Sequence, residues 1–135
     1  MNKENQLKFV VDQLIVKGNS DIVDEVFSDD YIAHSGDKNH KGKQFIKQFT
    51  KQIRTAIPDI KLIRIDILSQ NENIISWQRS FRGTHKANLR GIAASKKKVK
   101  WYEIVVTRFE ENKIIEEWLV SDLAFQLMLK QSTEK

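Results

Sequence analysis

The stretch KIIEEWLVSD, at residues 113–122, is an apolar segment that ends in a carboxylate. Two interpretations of Asp122 are open. At the start of a helix, the carboxylate would accept hydrogen bonds from free backbone amides, stay ionised and be a poor base. Facing an apolar cavity, it would lose hydration, its pKa would rise, and it could act as a general acid or base. Asp122 is therefore the first candidate for a catalytic residue.

Three histidines are further candidates for chemistry. His34 and His85 lie near the ends of strand-like segments, and each has a hydroxyl neighbour, Ser35 or Thr84, that could fix its tautomer. Each is either a hydrogen-bonded structural residue or a donor that polarises a substrate carbonyl. His40 lies in a polar stretch and is interpreted as a surface residue. The spacing of the three contains no metal-ligand signature, so no metal site is predicted.

Aromatic side chains are the candidates for holding an apolar ligand, although most residues of this kind are core or interface aromatics. Three tryptophans lie on three successive strand-like segments, and two phenylalanines face the predicted core. The candidate ligand contacts are Trp77, Trp101, Trp118, Phe81 and Phe49. The acidic residues of the same strands are interpreted as cross-strand partners of lysines and arginines. They are Glu103, Glu116 and Glu117.

The composition is typical of a globular chain, with 40% hydrophobic and 30% charged residues. A length of 135 residues predicts one domain over 1–135, with an ordered core over about 4–131 and a frayed tail after Lys130. The absence of cysteine excludes disulfides and thiolate metal sites. The sequence shows neither a signal peptide nor a membrane span, so a cytoplasmic location is expected.

The net charge of +5 raises the question of nucleic-acid binding. Much of the excess lies in one run, SKKKVK, at residues 95–100. A lysine cluster without arginines or interleaved aromatics is typical of a solvated hairpin. Nucleic acid is therefore not the expected partner.

Helices are predicted first along the chain. Apolar residues recur with helical spacing over residues 7–15, and a short second helix is predicted over 22–27. Residues 31–34 are predicted to be extended, and a polar loop should follow them. A third helix spans about Lys43–Ala56 and stops before Pro58, because the residue before a proline avoids helical geometry.

After Pro58 the hydrophobic period changes to two, which predicts strands over 60–68, 73–85, 98–109 and 113–120. In the second of these strands, one face carries Trp77, Arg79, Phe81 and His85. The last two strands should form a tight hairpin, and a short apolar helix that must be covered follows from Asp122. Helices followed by antiparallel strands predict an α+β fold, with helices packed on one face of a curved sheet that encloses a ligand pocket.

Several motifs follow one another in an order that indicates a family. They are YIAHSG at 31–36, AIPDIKL at 56–62, FRGTHKANLRGI at 81–92 and ENKIIEEWLVSD at 111–122. Together they resemble the SnoaL-like polyketide cyclases, or ester cyclases, of the nuclear-transport-factor-2-like (cystatin-like) superfamily. The resemblance implies a cone-shaped α+β barrel with a deep apolar pocket, a homodimer formed through the sheet, and no metal or organic cofactor. In these cyclases the aspartate corresponding to Asp122 is the general acid/base of an aldol ring closure.

These observations predict a protein whose pocket binds a small apolar carbonyl compound. If it is an enzyme, Asp122 moves a proton next to the carbonyl, as in an isomerase, cyclase or hydrolyase, and His85 or His34 polarises that carbonyl. The alternative is a non-catalytic ligand-binding or dimeric assembly module of the same fold. Apolar Val120 and the segment IVV at 104–106 favour this alternative, since the cyclases tend to place polar residues beside their aspartate.

Overall fold

The N-terminal part of the chain is helical, as its apolar spacing predicts. In the computed structural model, which describes residues 2–131, helix α1 spans Lys3–Val10 and continues as a π-helical segment over Val11–Val16. Helix α2 follows at Ile22–Val26. The apolar positions predicted within residues 7–15 are all buried in the core. The tail predicted after Lys130 lies, from residue 132 onward, outside the described residues.

Two further helices follow at the positions that the sequence indicates. Helix α3 spans Lys43–Ala56 and α4 spans Leu123–Leu129. Leu123 and Leu127 are buried, whereas three other apolar residues of α4 are about 60% exposed: Phe125, Met128 and Leu129. Within the described residues α4 is thus covered on one side only, not on several. No helix in this part of the chain has the length and apolarity to cross a membrane.

Six strands form one curved sheet that does not close on itself. They are β1 (Phe27–Ser35), β2 (Lys38–Lys41), β3 (Lys61–Gln70), β4 (Ile74–Thr84), β5 (Lys98–Glu110) and β6 (Lys113–Ser121). Their order across the sheet is β2-β1-β6-β5-β4-β3. All neighbours are antiparallel except β1 and β6, which run parallel. The predicted α+β fold is confirmed, and the parallel pair places β1 beside the last strand.

Strand β2 corrects the sequence prediction of a polar loop after residue 34. The segment Lys38–Lys41 pairs with β1 through four residue pairs, from Ser35↔Lys38 to Ile32↔Lys41. Its sequence, KNHK, contains no apolar residue and therefore gives no alternation of period two. Backbone hydrogen bonds hold this edge strand, which is why its side-chain pattern does not reveal it.

Alternation along β4 and β5 sends side chains to two sheet faces. The face that packs against the helices, called the inner face below, carries Trp77, Arg79 and Phe81 of β4, which share one face as predicted and are all buried. On β5 the buried inner-face residues are Val99, Trp101, Glu103, Val105, Thr107 and Phe109. On these two strands the inner face thus includes the polar side chains of Arg79, Glu103 and Thr107 among apolar neighbours.

Gly83, near the end of β4, lets α3 and the following turn approach the sheet closely. A Cβ at this position would press against the Ile57 side chain and lie 3.3 Å from the Ile60 Cα atom. Beside it, the Asp59 carboxylate accepts hydrogen bonds from the Thr84 amide at 2.7 Å and from the Thr84 hydroxyl at 2.8 Å. The glycine of the FRGTH motif therefore has a packing role.

Candidate functional site

A cavity of about 400 Å³ lies between α1, α3 and the inner face of the sheet. Most of its wall is apolar, and a volume of this size suits a small organic ligand. The polar and charged residues that line it are Tyr31, His34, Ser35, Lys38, His40, Thr50, Arg79, Arg90 and Glu117. The cavity predicted from the strand pattern is therefore present, with several ionisable groups in its wall.

The carboxyl group in the cavity wall belongs to Glu117 of β6. Its Oε1 accepts a hydrogen bond from the Tyr31 hydroxyl at 2.9 Å, and its Oε2 accepts one from the Thr107 hydroxyl at 2.6 Å. The Thr107 oxygen in turn accepts a hydrogen bond from Trp77 Nε1 at 2.9 Å. Because β1 and β6 are parallel neighbours, residues 86 positions apart meet at this carboxyl group.

Burial raises the pKa of Glu117 above that of an ordinary glutamate. The hydrogen bond from Thr107, the positive charge of Arg79 and the hydrogen bond from Tyr31 oppose that effect in part. The pKa of Tyr31 is also raised, first by burial and then by the negative charge of Glu117. Tyr31 therefore stays a hydroxyl donor, while the raised pKa makes Glu117 a stronger base than an ordinary glutamate.

Arg79 lies beside this group and forms a buried ion pair with Glu103. Its Nε donates to Glu103 Oε1 at 2.7 Å, and the two side chains are 9% and 4% exposed. Glu103 Oε2 also accepts hydrogen bonds from Trp101 Nε1 at 3.2 Å and from the Ser121 hydroxyl at 3.0 Å. The arginine is thus fixed from the sheet side, and it lines the cavity.

Asp122 does not line this cavity. Its Oδ1 accepts a hydrogen bond from the Tyr102 amide of β5 at 2.8 Å, and its Oδ2 accepts one from Gln126 Nε2 at 3.2 Å. It stands at the start of α4, yet its side chain makes no capping bond to the helix backbone. Neither sequence interpretation describes it, because its carboxylate holds β5 instead. A catalytic role for Asp122 stays a prediction, and no contact between Asp122 and the cavity supports it.

His34 borders the cavity, but its ring makes its contacts on the opposite, outer sheet face. Its Nε2 lies 2.6 Å from Glu116 Oε2, its Nδ1 lies 2.6 Å from Asn39 Oδ1, and its ring stacks on Trp118 at 4.9 Å. The hydrogen bond to Glu116 raises the pKa of His34. Glu116 and Glu117 are adjacent in a strand, so their side chains point to opposite faces. The structure therefore separates His34 from Glu117.

The other two histidines also differ from expectation. His40 stacks on Phe45 at 4.1 Å and lines the cavity, whereas the polar sequence around it indicated a surface residue. His85 is fully buried and does not line the cavity, and no described residue is a hydrogen-bond partner of either of its ring nitrogens. Within residues 2–131, no three His, Asp or Glu side chains lie close enough to hold a metal ion.

Burial lowers the pKa of His85, so the stability of the protein should depend on pH. Below about pH 6.5 the unfolded chain binds a proton at this residue that the folded chain does not, until the lowered native pKa is reached. We expect the free energy of unfolding to fall as the pH is lowered through this range, by up to about 1.4 kcal/mol per pH unit. His34, whose pKa is raised, acts in the opposite sense: its stabilisation is complete below about pH 6.5 and is lost as the pH rises through its native pKa.

Urea unfolding of the wild type and of His85→Leu isolates the contribution of this residue. Between about pH 7.5 and about pH 5.5, the wild type should lose more stability than the variant. The His34 contribution is common to both proteins and cancels in the comparison. Equal losses in the two proteins would contradict a neutral, buried His85.

The five aromatic candidates divide between cavity, core and surface. Trp77 and Phe49 line the cavity, as a ligand contact requires. Trp101 and Phe81 are buried against each other, with ring centroids 5.5 Å apart, and do not line it. Trp118 is 38% exposed on the outer face. Trp77 and Phe49 therefore remain candidates for binding an apolar ligand.

Sequence reasoning missed Glu117, Tyr31 and the role of Arg79. A usable signal was present for Arg79, because it stands between Trp77 and Phe81 on one face of the predicted strand. A charged residue in such a position is rarely buried without a partner. Glu117 gave no such signal, since it follows Glu116 in the sequence and a bulge in the β5–β6 pairing hides which of the two points inward.

Comparisons with known proteins agree with the fold. The family model of the SnoaL-like polyketide cyclases matches residues 6–129. A SnoaL-like polyketide cyclase from Agrobacterium tumefaciens has 19% sequence identity and a TM-score of 0.75, with 96% of this chain and 99% of that chain covered. A proposed polyketide cyclase from Acidithiobacillus ferrooxidans has 19% identity and a TM-score of 0.78, with 96% of each chain covered.

AclR, a proposed hydroxylase from Streptomyces galilaeus, is similar to the same degree. Its identity is 19% and its TM-score 0.75, with 93% of this chain and 95% of that chain covered. Identities this low show a shared fold and leave the chemistry open, because one fold supports many activities. No curated protein sequence matches the chain.

Proposed function

The chain belongs to the SnoaL-like polyketide cyclase family, and we propose that it moves a proton next to the carbonyl group of a small, largely apolar compound, with Glu117 carrying the proton. The observation behind this proposal is the position of Glu117. It is the one carboxyl group among the described residues that line the cavity, and it lies beside Tyr31, Arg79 and Trp77.

The chemistry that Glu117 can perform is a proton transfer in two directions. As a carboxylate, it removes a proton from the carbon next to the carbonyl, and the electron pair of the C–H bond moves onto the carbonyl oxygen as an enolate. Where a carbon–carbon double bond of the substrate extends the enolate into a dienolate, the protonated Glu117 then returns the proton to the far carbon, which shifts the double bond and isomerises the substrate. Alternatively, the enolate carbon attacks a second carbonyl, which closes a ring, and the new alkoxide takes the proton.

Two neighbours of Glu117 prepare it for this role. Tyr31 and Thr107 each occupy one lone pair of a different carboxylate oxygen, which fixes the plane of the carboxyl group. Each oxygen retains capacity for a further proton. Trp77 and Phe49 offer flat apolar surfaces for the remainder of the ligand. The same arrangement also supports ligand binding without turnover, so the experiment must measure both.

The test is exchange of hydrogen for deuterium next to a carbonyl in heavy water, followed by proton NMR. The probes are aryl and alkyl ketones that include benzoylpropionate. We expect the wild type to accelerate exchange relative to buffer alone. Leu119→Trp places an indole in the cavity and should abolish this acceleration. Leu68→Trp is the matched control, since Leu68 is also a strand leucine but is 55% exposed and does not line the cavity. Binding of the probes without exchange would identify a non-catalytic binding module.

We also propose a homodimer formed through the outer face of the sheet. Apolar side chains exposed on this face are Tyr102, Ile104, Trp118 and Val120. Ile104 and Val120 are direct cross-strand partners, so they form the centre of one continuous patch. Patches of this kind on soluble proteins mark interaction sites.

Val120→Lys should convert the dimer into a monomer, because it places a charge in the centre of the patch. Light scattering coupled to size-exclusion chromatography measures the mass directly. Phe125→Lys is the control, since Phe125 is similarly exposed but lies on α4. A wild type that elutes as a monomer, or a Val120→Lys protein that remains a dimer, would contradict the proposed interface.

A further inference from the structure

Arg79 has more hydrogen-bonding capacity than the protein uses. A guanidinium carries five N–H donors, and among the described residues only its Nε–H has an acceptor, Glu103 Oε1 at 2.7 Å. The side chain is only 9% exposed. Burial of a charged group with unmet donors is costly, so its two terminal amino groups require acceptors from another source.

Those amino groups border open space rather than sealed protein. The buried side-chain nitrogens and oxygens without a partner among the described residues are Thr50 Oγ1, Ser80 Oγ and the two ring nitrogens of His85. No described residue accepts a hydrogen bond from the Arg79 amino groups either. They are nevertheless not among these buried atoms, so they are accessible from open space. Arg79 lines the 400 Å³ cavity and a void of about 10 Å³. The void holds at most one water, so the cavity is where a ligand can reach the guanidinium.

The charges around the cavity favour an anion. Three of its lining residues are cationic, Lys38, Arg79 and Arg90, and one is a carboxylic acid, Glu117. Lys38 and Arg90 are exposed and lie at the rim, with the Arg90 guanidinium 6.0 Å from the centre of the Phe49 ring. A concave site lined by an excess of positive charge attracts and concentrates anionic ligands.

We propose that the ligand of this cavity is an organic acid, and that Arg79 binds its carboxylate through the two terminal amino groups. Two parallel N–H donors match the two oxygens of a carboxylate, an arrangement that a lysine ammonium cannot reproduce. The apolar part of the acid lies against Trp77 and Phe49. The carbon next to its ketone carbonyl, which loses the proton, faces Glu117. This inference rests on the proposed function, because it names the substrate class for the same cavity.

The experiment compares benzoylpropionate with its primary amide, which has the same shape but no charge. Isothermal titration calorimetry should show that the wild type binds the acid about ten- to a hundredfold more tightly than the amide. Arg79→Lys retains a charge to pair with Glu103 but loses the two parallel donors, so most of this preference should disappear. Arg82→Gln, at an exposed arginine of the same strand, should retain the preference in full.

Two more variants keep the result interpretable. The double variant Arg79→Met/Glu103→Gln leaves no unpaired buried charge, so it tests the carboxylate preference if Arg79→Lys does not fold. Arg90→Gln tests the rim and should retain most of the preference. Two results would overturn the inference. One is that Arg90→Gln loses the preference for the acid while Arg79→Lys retains it. The other is that the wild type binds acid and amide equally.

Glu117→Gln separates this inference from the proposed function. It should bind the acid with the preference of the wild type while it no longer accelerates deuterium exchange. A wild type that exchanges ketones but does not distinguish the acid from the amide leaves Glu117 as the proton carrier and removes Arg79 as the anchor. A wild type that prefers the acid but catalyses no exchange supports the anchor and removes the proton-transfer role.

Discussion

Glu117→Gln is expected to lower the rate of hydrogen–deuterium exchange next to a ketone by about 10²–10⁴-fold, the usual contribution of a general base. Glutamine has the shape of glutamate, and its carbonyl oxygen can still accept a hydrogen bond from Tyr31 or Thr107. The fold should therefore persist, since a carboxylate whose charge is disfavoured by burial has been replaced by a neutral amide. Circular dichroism and urea unfolding check that the variant is folded.

Two matched variants show whether the effect is specific. Glu116→Gln alters the neighbouring residue, which faces the outer sheet surface, and Asp122→Asn alters the aspartate that does not line the cavity. Both should exchange at the wild-type rate. If Asp122→Asn lost as much activity as Glu117→Gln, the aspartate favoured by the family resemblance would regain the acid/base role. In the wild type the rate should rise with pH through the raised pKa of Glu117, because the ionised form is the base.

Glu103→Ala is expected to lower the free energy of unfolding by about 3–5 kcal/mol, the usual cost of removing one partner of a buried ion pair. The substitution leaves the buried Arg79 guanidinium without its ion-pair partner. It also removes the acceptor of the Trp101 indole and of the Ser121 hydroxyl. Urea unfolding, followed by tryptophan fluorescence and by circular dichroism, measures the loss.

Asp66→Ala provides the control for an exposed ion pair. Asp66 accepts a hydrogen bond from the Arg64 guanidinium at 2.7 Å, the same distance as between Arg79 and Glu103. The Arg64 side chain, however, is 67% exposed. Water replaces such a pair readily, so the loss of stability should be far smaller than for Glu103→Ala. Similar losses in the two variants would show that the Arg79–Glu103 pair is not desolvated as the structure indicates.

The sheet was predictable because its side chains obey a strict alternation. On β4 the sequence ISWQRSF places Trp77, Arg79 and Phe81 on one face, and the structure buries all three. The hairpin between β5 and β6 was equally clear, since Glu111 and Asn112 stand between two apolar strands. Both residues adopt positive φ, as tight turns between antiparallel strands require.

The site was less predictable because contacts distant in the sequence create it. The hydrogen bond between Tyr31 and Glu117 depends on the parallel pairing of β1 with β6, which no local pattern announces. The interpretation of the three glutamates as cross-strand partners holds for Glu103 with Arg79 and for Glu116 with Arg108. It is wrong for Glu117, whose partners are hydroxyl groups.

Asp122 illustrates a different limit. A carboxylate between a strand and a helix suggests either a cap or a cavity residue, and the sequence cannot show a third arrangement. In the structure the Asp122 amide donates to the Tyr102 carbonyl oxygen at 3.1 Å, and its side chain accepts from the Tyr102 amide. The residue thus extends the pairing of β5 and β6 by one position, and this depends on strand register rather than on residue type.

The most direct test of this account is a carbon-13 NMR titration of the Glu117 side-chain carboxyl group, assigned by its absence in Glu117→Gln. We predict that Glu117 titrates above the ordinary glutamate range, because burial disfavours its charge. Glu116 should titrate below that range, since hydrogen bonds from His34 and Arg108 outweigh its own partial burial. A Glu117 that titrates like an exposed glutamate would contradict a desolvated carboxyl group in the cavity wall, and with it the proposed acid/base chemistry.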